Sequence, residues 1–327
     1  IGNADVSAYF FRRAFELIRN TGTFGFLSTK TISEGDTRIT GLKAILASEG
    51  QIYNAIRSQK WPGEAAVLVV VVHIAAANSP VREVTLDGKP VNAINSRLFA
   101  SVETPDPAPL ASNEQWGFMG VALGSSGFIL EADEYAELAS DAHNQECLLP
   151  YIGGEEINRS PTQNHERYSI YFGSEPLSYA ENFPKLLDIV KSRVKPGRDC
   201  APNHGPGNHG RKYWWQFTLR RDPLYASISG MSRCLVTARI TAHLAFTFQP
   251  IRQVFSEQVV VFAFEDFKGF ACLQSQAHNI WALLLSSFMG ETLRYSVSEA
   301  FHTFPFPTGF ESDQRLEEAG RSYYEYR

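Results

Sequence analysis

The chain has 327 residues, 44% hydrophobic and 20% charged, with a formal net charge of −5. This is a globular composition, which excludes wholesale disorder, and at roughly 150 residues per domain the length suggests two domains with cores large enough to need no metal. Cys147, Cys200, Cys234 and Cys272 form no C-x-x-C pair, and no apolar run is longer than residues 65–72, so a disulfide scaffold, a membrane span and a signal peptide are not expected and a reducing cytoplasm is.

In chain order, Ala8, Phe11, Phe15 and Ile18 follow helical spacing, with Asp5 or Ser7 as the cap and Gly22 as the stop. Residues 23–27 read as a strand. Asp36 and Thr37 cap a helix to about residue 48, and Gly50 ends it. Residues 51–57 and 65–74 read as two more strands, the second apolar enough to be buried on both sheet faces. Such alternation predicts an α/β fold with a largely parallel sheet flanked by helices. The connection at residues 58–64 is too short for a parallel crossover, so the last two strands form an antiparallel hairpin. Residues 1–76 thus look like the closing half of a sheet. The bare face and edge they leave, and the start at Ile1 in place of methionine, suggest a piece of a longer protein or a partner on that edge.

A second hairpin turns at Asp87-Gly88 in a type I′ turn. The proline-rich residues 104–109 read as a linker, which divides the chain into domains 1–104 and 105–327. Beyond it, helices are expected at 131–144, 180–194 and 267–288. Strands are expected at 168–172, 234–240, 245–248 and 258–264.

Generic catalytic motifs are absent. Residues 205–210 match G-x-G-x-x-G but follow no strand and read as a loop. Cys200, His204 and His209 match no common zinc spacing, so no metal is expected. Glu155 and Glu156 are adjacent, and on an extended turn they point apart, which weighs against paired acid–base work. Charge is more informative. From Lys191 to Arg221 eight lysines and arginines face Asp199 alone, a local +7 against −12 elsewhere. Such a stretch is either a solvated surface or a local match for phosphate.

Trp61, beside Lys60 and followed by Pro62 and Gly63, sits at the tip of the expected hairpin. It is either a stacking platform for a nucleobase or a ring folded onto a neighbouring domain. Arg211, Lys212, Trp214 and Trp215 interleave cations with aromatics. Read as a strand, the segment puts the two tryptophans on opposite faces, so at least one is expected at the surface, to stack or wedge at bases. Arg167, Arg233, Arg239 and His243 flank expected strands; arginine suits guanine readout, and equally a structural ion pair.

Longer blocks carry a resemblance. NADVSAYFFRRA (3–14), GTFGFLSTKTI (22–32), GDTR (35–38) and SQKWPGEAA (58–66) resemble adenine-N6 DNA methyltransferases of type IIG and IIL restriction–modification enzymes and their phage-defence relatives. YIGGEEIN (151–158), KYWWQF (212–217), VFSE (254–257) and LRYSVSEAFHTFPFP (293–307) resemble their target-recognition domain. The resemblance implies the C-terminal part of a Rossmann-like methyltransferase sheet, with an antiparallel terminal hairpin, followed by an α+β target-recognition domain on double-stranded DNA. S-adenosylmethionine is the implied methyl donor of the full-length protein, with residues 3–14 helping to wall its pocket. Trp61-Pro62 matches an aromatic–proline pair that stacks on the flipped adenine. Lys60, Arg211, Lys212, Trp214, Trp215 and Arg239 are the DNA-binding candidates.

The family's Asn/Asp-Pro-Pro-Tyr/Phe catalytic loop and its glycine-rich cofactor motif are absent from this sequence, and no nuclease signature is visible. The chain alone is therefore expected to bind DNA weakly, to hold no cofactor and not to methylate without the missing N-terminal half of the catalytic domain. A stand-alone specificity module is the first alternative. A small-molecule methyltransferase is the second, and it predicts no salt-sensitive DNA binding.

Overall fold

The computed structural model describes residues 4–61, 68–81, 83–201, 206–290 and 292–327. The chain divides into two compact units, Ile1–Ala108 with Leu283–Arg294, and Pro109–Ala282 with Tyr295–Arg327.

In the first unit, the Asp5 carboxylate accepts a hydrogen bond from the Ser7 amide at 2.8 Å and so caps the helix Val6–Leu17. Strand β1 (Thr23–Thr29) follows. A helical stretch then runs through Gly35–Arg38, a π turn at Ile39–Lys43, and Ala44–Ala47. Strands β2 (Gln51–Lys60), β3 (Leu68–Ala75), β4 (Thr85–Leu86) and β5 (Lys89–Pro90) complete a sheet of order β1-β3-β2-β4-β5. The hairpin expectation holds, because β2 and β3 pair antiparallel. The largely parallel sheet does not. β3 inserts between β1 and β2 and runs against both, so the two strands that share a direction never touch. Among the described residues of this sheet, the parallel pairing is confined to Asn54–Ala55 with Thr85–Leu86.

Alternation along β3 decides the core. Val70, Val72 and Ile74 are buried with Ala8, Phe11, Leu42 and Ile45. Val69, Val71 and His73 point to the other face and are only half-buried, so burial is one-sided where two-sided burial was expected. Among the described strands β1 is an edge, and its Leu27 is exposed. Asp87 and Gly88 have φ of 51° and 76°, as a type I′ turn requires. The irregular segment after residue 101 is pinned at Asp106, which accepts hydrogen bonds from Arg38, Lys43 and Arg97.

The second unit holds two sheets. One contains β6 (Gly117–Met119), β10 (Arg233–Ala238), β12 (Thr247–Pro250) and β14 (Val259–Phe262) in the antiparallel order β12-β10-β14-β6. The other contains β7 (Ile129–Leu130), β8 (Leu148–Ile152), β9 (Arg167–Ile170) and β13 (Val254–Phe255), in the order β13-β8-β9-β7. The short β11 (Ile240–Thr241) follows β10. The interior strand β14 is buried at all four residues, which suits its unbroken Val-Val-Val-Phe.

The expected long helix 267–288 is broken at Ser275, whose backbone is extended. Phe267–Gln274 is capped by Asp266, and Gln276–Leu285 begins where the Ser275 hydroxyl accepts from the His278 amide. The expected helix 131–144 is shorter, Ala132–Ala139. Among the described residues no helix is long and apolar enough to cross a membrane.

Candidate nucleic-acid interface

The basic stretch does not fold as one uniform solvated patch. Arg198 lies inside the second unit at 6% exposure. Its guanidinium donates to the carbonyls of Gln216 (2.6 Å), Leu123 (2.9 Å) and Tyr213 (3.0 Å), with longer contacts to Gly210 and to the Thr218 hydroxyl. Burial pulls its pKa down to about 10, so it is charged at neutral pH. Several other cations of the stretch are engaged. Arg193 pairs with Glu134, Lys195 with Asp199, and Arg211 donates to the Ala201 carbonyl. Lys191, Lys212 and Arg221 remain exposed.

The reading of residues 211–217 as a strand is corrected. The helix Pro206–Lys212 occupies most of the glycine-rich segment expected to be a loop, while His204 and Gly205 lie outside the described residues. The chain then turns, with the Gln216 amide on the Tyr213 carbonyl at 3.0 Å. A turn does not alternate faces as a strand does. Trp214 and Trp215 therefore both enter the core, at 9% and 8% exposure, and the Trp215 indole donates to the Glu175 carbonyl. Neither ring is placed to stack on a base, and the expectation that one would be at the surface is overturned.

The segment that Arg198 braces continues into a groove. This groove encloses about 730 Å³ and is lined by Gly117–Met119 of β6, residues 217–224, Arg239, residues 295–298, His209 and His302. Its formal charges are Arg220, Arg221 and Arg239 against Asp222. Arg220 is clamped by Gln216 at 2.6 Å and Asp222 at 3.1 Å. Arg221 is not so clamped; its Nε donates to the Gly120 carbonyl at 3.4 Å. The Arg239 amide donates to the Gln258 carbonyl, and its own carbonyl accepts from the Tyr295 amide. Tyr295 is in turn held by His278. Burial lowers the His278 pKa to about 4, so the ring is neutral; its Nδ1–H donates to the Leu273 carbonyl, and its Nε2 accepts the Tyr295 hydroxyl. Gly124, at φ +71°, permits the close approach of Thr218; a Cβ there would meet the hydroxyl at 1.9 Å.

Of the DNA-binding candidates named from sequence (Lys60, Arg211, Lys212, Trp214, Trp215 and Arg239), the groove gathers Arg239 alone. Lys212 is exposed at the end of its helix, with its ammonium 5.1 Å from the Tyr213 ring. Lys60 ends β2 and Trp61 follows it at 44% exposure, both in the first unit, while Pro62 lies outside the described residues. Arg167 is taken by the buried Glu156, and Arg233 donates to the Glu265 carbonyl while lying 3.9 Å over Phe248, so both are structural. Glu155 and Glu156 open the helix Gly154–Arg159 instead of lying on an extended turn. Arg220 and Arg221 were read from sequence only as part of the basic stretch, and Ser296 only within the block 293–307. Asp222-Pro223, a helix-start signal directly after the arginine pair, was the available clue.

The family described as "MmeI, target recognition domain" matches residues 109–308. The chain belongs to that family. The match encloses every residue that lines the groove. The structure of the Type IIL restriction–modification enzyme MmeI in complex with DNA is similar over 99% of this chain and 45% of that one, with a TM-score of 0.81 at 18% identity. At that identity the likeness is one of fold. The type IIG restriction endonuclease BpuSI superposes with a TM-score of 0.37 at 11% identity, covering 98% of this chain and 44% of that one, which is too loose to carry an argument. The chain thus spans less than half the length of either protein. No curated protein matches it.

Proposed function

We propose that the second unit recognises a specific sequence in double-stranded DNA through its groove. The first unit is then the C-terminal portion of an adenine-N6 methyltransferase domain in a type IIL-like restriction–modification or phage-defence enzyme. The observation that carries the reading is that the target-recognition family match encloses a groove whose arginines outnumber its one carboxylate. The MmeI structure of the same fold is a DNA complex, which supports DNA as the ligand.

Two features support the role of the first unit. Its sheet is covered on one face and ends at an exposed strand, and the capped helix leaves Val6, Phe10 and Leu17 exposed as an apolar flank. The missing N-terminal half of the catalytic domain is the partner that such surfaces suit. S-adenosylmethionine is proposed as the methyl donor of the full-length enzyme. The proposal gives this chain no cofactor of its own and no methylation alone.

Trp61 is proposed to stack on the adenine turned out of the duplex, because the target amine is inaccessible inside the stack. Its exposure makes the ring available, and its loss should leave the fold intact. In the full-length enzyme Trp61→Ala should cost about 1–3 kcal/mol of base stabilisation, read as slower methylation. Equal methylation by wild type and variant removes the role. The test of the whole reading is fluorescence anisotropy of labelled duplex DNA with this chain at low and physiological salt. A steep loss of affinity with salt is expected, and no binding at low salt would count against DNA recognition by this unit.

A further inference from the structure

We propose that Arg221 is a guanine-reading side chain of the groove, an inference that rests on the DNA-recognition reading above. The backbone comes first. Arg221 has φ 58° and ψ 45°, the left-handed region that a long L side chain rarely occupies and that glycine occupies without strain. Its carbonyl accepts from the amides of Leu224 at 2.9 Å and Tyr225 at 3.4 Å, which holds the conformation. If only a tight turn were needed, glycine would serve better. An arginine kept there points to a use for the side chain, since strain of this kind concentrates at functional sites.

The side chain is also aimed. Its Nε is tethered to the Gly120 carbonyl, while Nη1 and Nη2 have no protein partner among the described residues. The neighbouring carboxylate of Asp222 is taken by Arg220, so it does not draw the Arg221 fork back. What remains is a planar pair of donors on a residue that lines the groove, with Nε in a long contact to the Gly120 carbonyl. Two parallel donors match the O6 and N7 acceptors of guanine in the major groove. A phosphate contact needs only a positive charge, which exposed Lys212 supplies without strain.

The test selects bound duplexes from a randomised pool with the 327-residue chain, as wild type, Arg221→Gly and Arg221→Lys. Glycine relieves the backbone and removes the fork; lysine keeps the charge and removes the fork. Circular dichroism confirms that both variants are folded. The expected result is a wild-type motif containing an invariant guanine, whose preference falls roughly 10- to 100-fold in both variants while the other positions keep theirs. Uniform weakening on all sequences in Arg221→Gly, rescued by Arg221→Lys, would make Arg221 a phosphate contact and overturn the proposal. Unchanged motifs in both variants would overturn it too. A wild type that binds no duplex at any salt overturns the recognition reading itself, a result distinct from the other two because it precedes any substitution.

Discussion

Replacing Arg198 with leucine should destabilise the second unit by about 3–5 kcal/mol, a large effect for one substitution. Leucine is apolar and comparable in bulk to the arginine stem, so little packing is lost. What is lost is the charged donor group shared by the Leu123, Tyr213 and Gln216 carbonyls; the Tyr213 carbonyl keeps the Gln216 amide at 3.0 Å and the Leu123 carbonyl the Thr218 amide at 3.4 Å, while the Gln216 carbonyl loses its donor. The one carbonyl left without a donor costs on the order of 1–3 kcal/mol, and each hydrogen bond lost from a charged donor about 1.5–3 kcal/mol, reduced where water enters. Arg198→Lys should recover only part, because one ammonium cannot span carbonyls that the guanidinium fork reaches from both sides. Urea unfolding followed by the fluorescence of Trp214 and Trp215, buried in the same core, reads the change. A loss below about 1 kcal/mol would show that the turn finds other donors. DNA affinity should fall as well, since the braced segment runs into the groove. The slope of affinity against salt should stay as in wild type, because no phosphate contact is removed.

This residue shows why part of the site was not legible in the sequence. Counting charge treats Arg198, Arg220 and Arg221 as equals. Burial among carbonyls, a clamp by Gln216 and Asp222, and a left-handed backbone make them three different objects, and a count of charge registers none of these differences. The tryptophans failed for a nearer reason. The strand reading of residues 211–217 imposed a period of two on what is a helix end and a turn, and with the wrong period the faces come out wrong.

Elements fixed by local chemistry were legible. Asp5 at the first helix, Asp87-Gly88 at the second hairpin and the short β2–β3 connection each have a mechanism that acts within a few residues. Strand order had no such signal. Insertion of β3 between β1 and β2 depends on which edge Val70, Val72 and Ile74 meet, and the apolar pattern is the same for either neighbour. The return of Leu283–Arg294 to the first unit was hidden in the same way, inside one continuous apolar helix signal over residues 267–288.

The second large effect is expected at Asp106, in the middle of the segment read from sequence as a linker. Asp106→Asn should destabilise the first unit by about 1.5–3 kcal/mol, less than the loss of one partner of a fully buried pair, because the Asp106 side chain is 24% exposed. Arg38 is only 2% exposed and places Nη2 2.7 Å from both carboxylate oxygens, while Arg97 approaches at 2.8 Å and Lys43 also donates. With asparagine these three cations face a neutral amide, and Arg38 keeps Glu103 at 3.5 Å as its carboxylate. The pH dependence follows from the same contacts. Burial opposes ionisation of Asp106, but hydrogen bonds from Arg38, Lys43 and Arg97 outweigh it and hold the carboxyl far below its ordinary 3.8. A depressed carboxylate contributes stability that is fully present above its unfolded pKa and is lost as pH falls through the folded one. The gap between wild type and Asp106→Asn should therefore be constant from neutral pH to about 5 and should narrow only below about 4. Hydrogen exchange at the Ser96 amide, which donates to Glu103 beside the cluster, reports on this unit separately from the second. A gap that closes between pH 7 and 5 would mean that another group, not Asp106, carries the charge balance around Arg38.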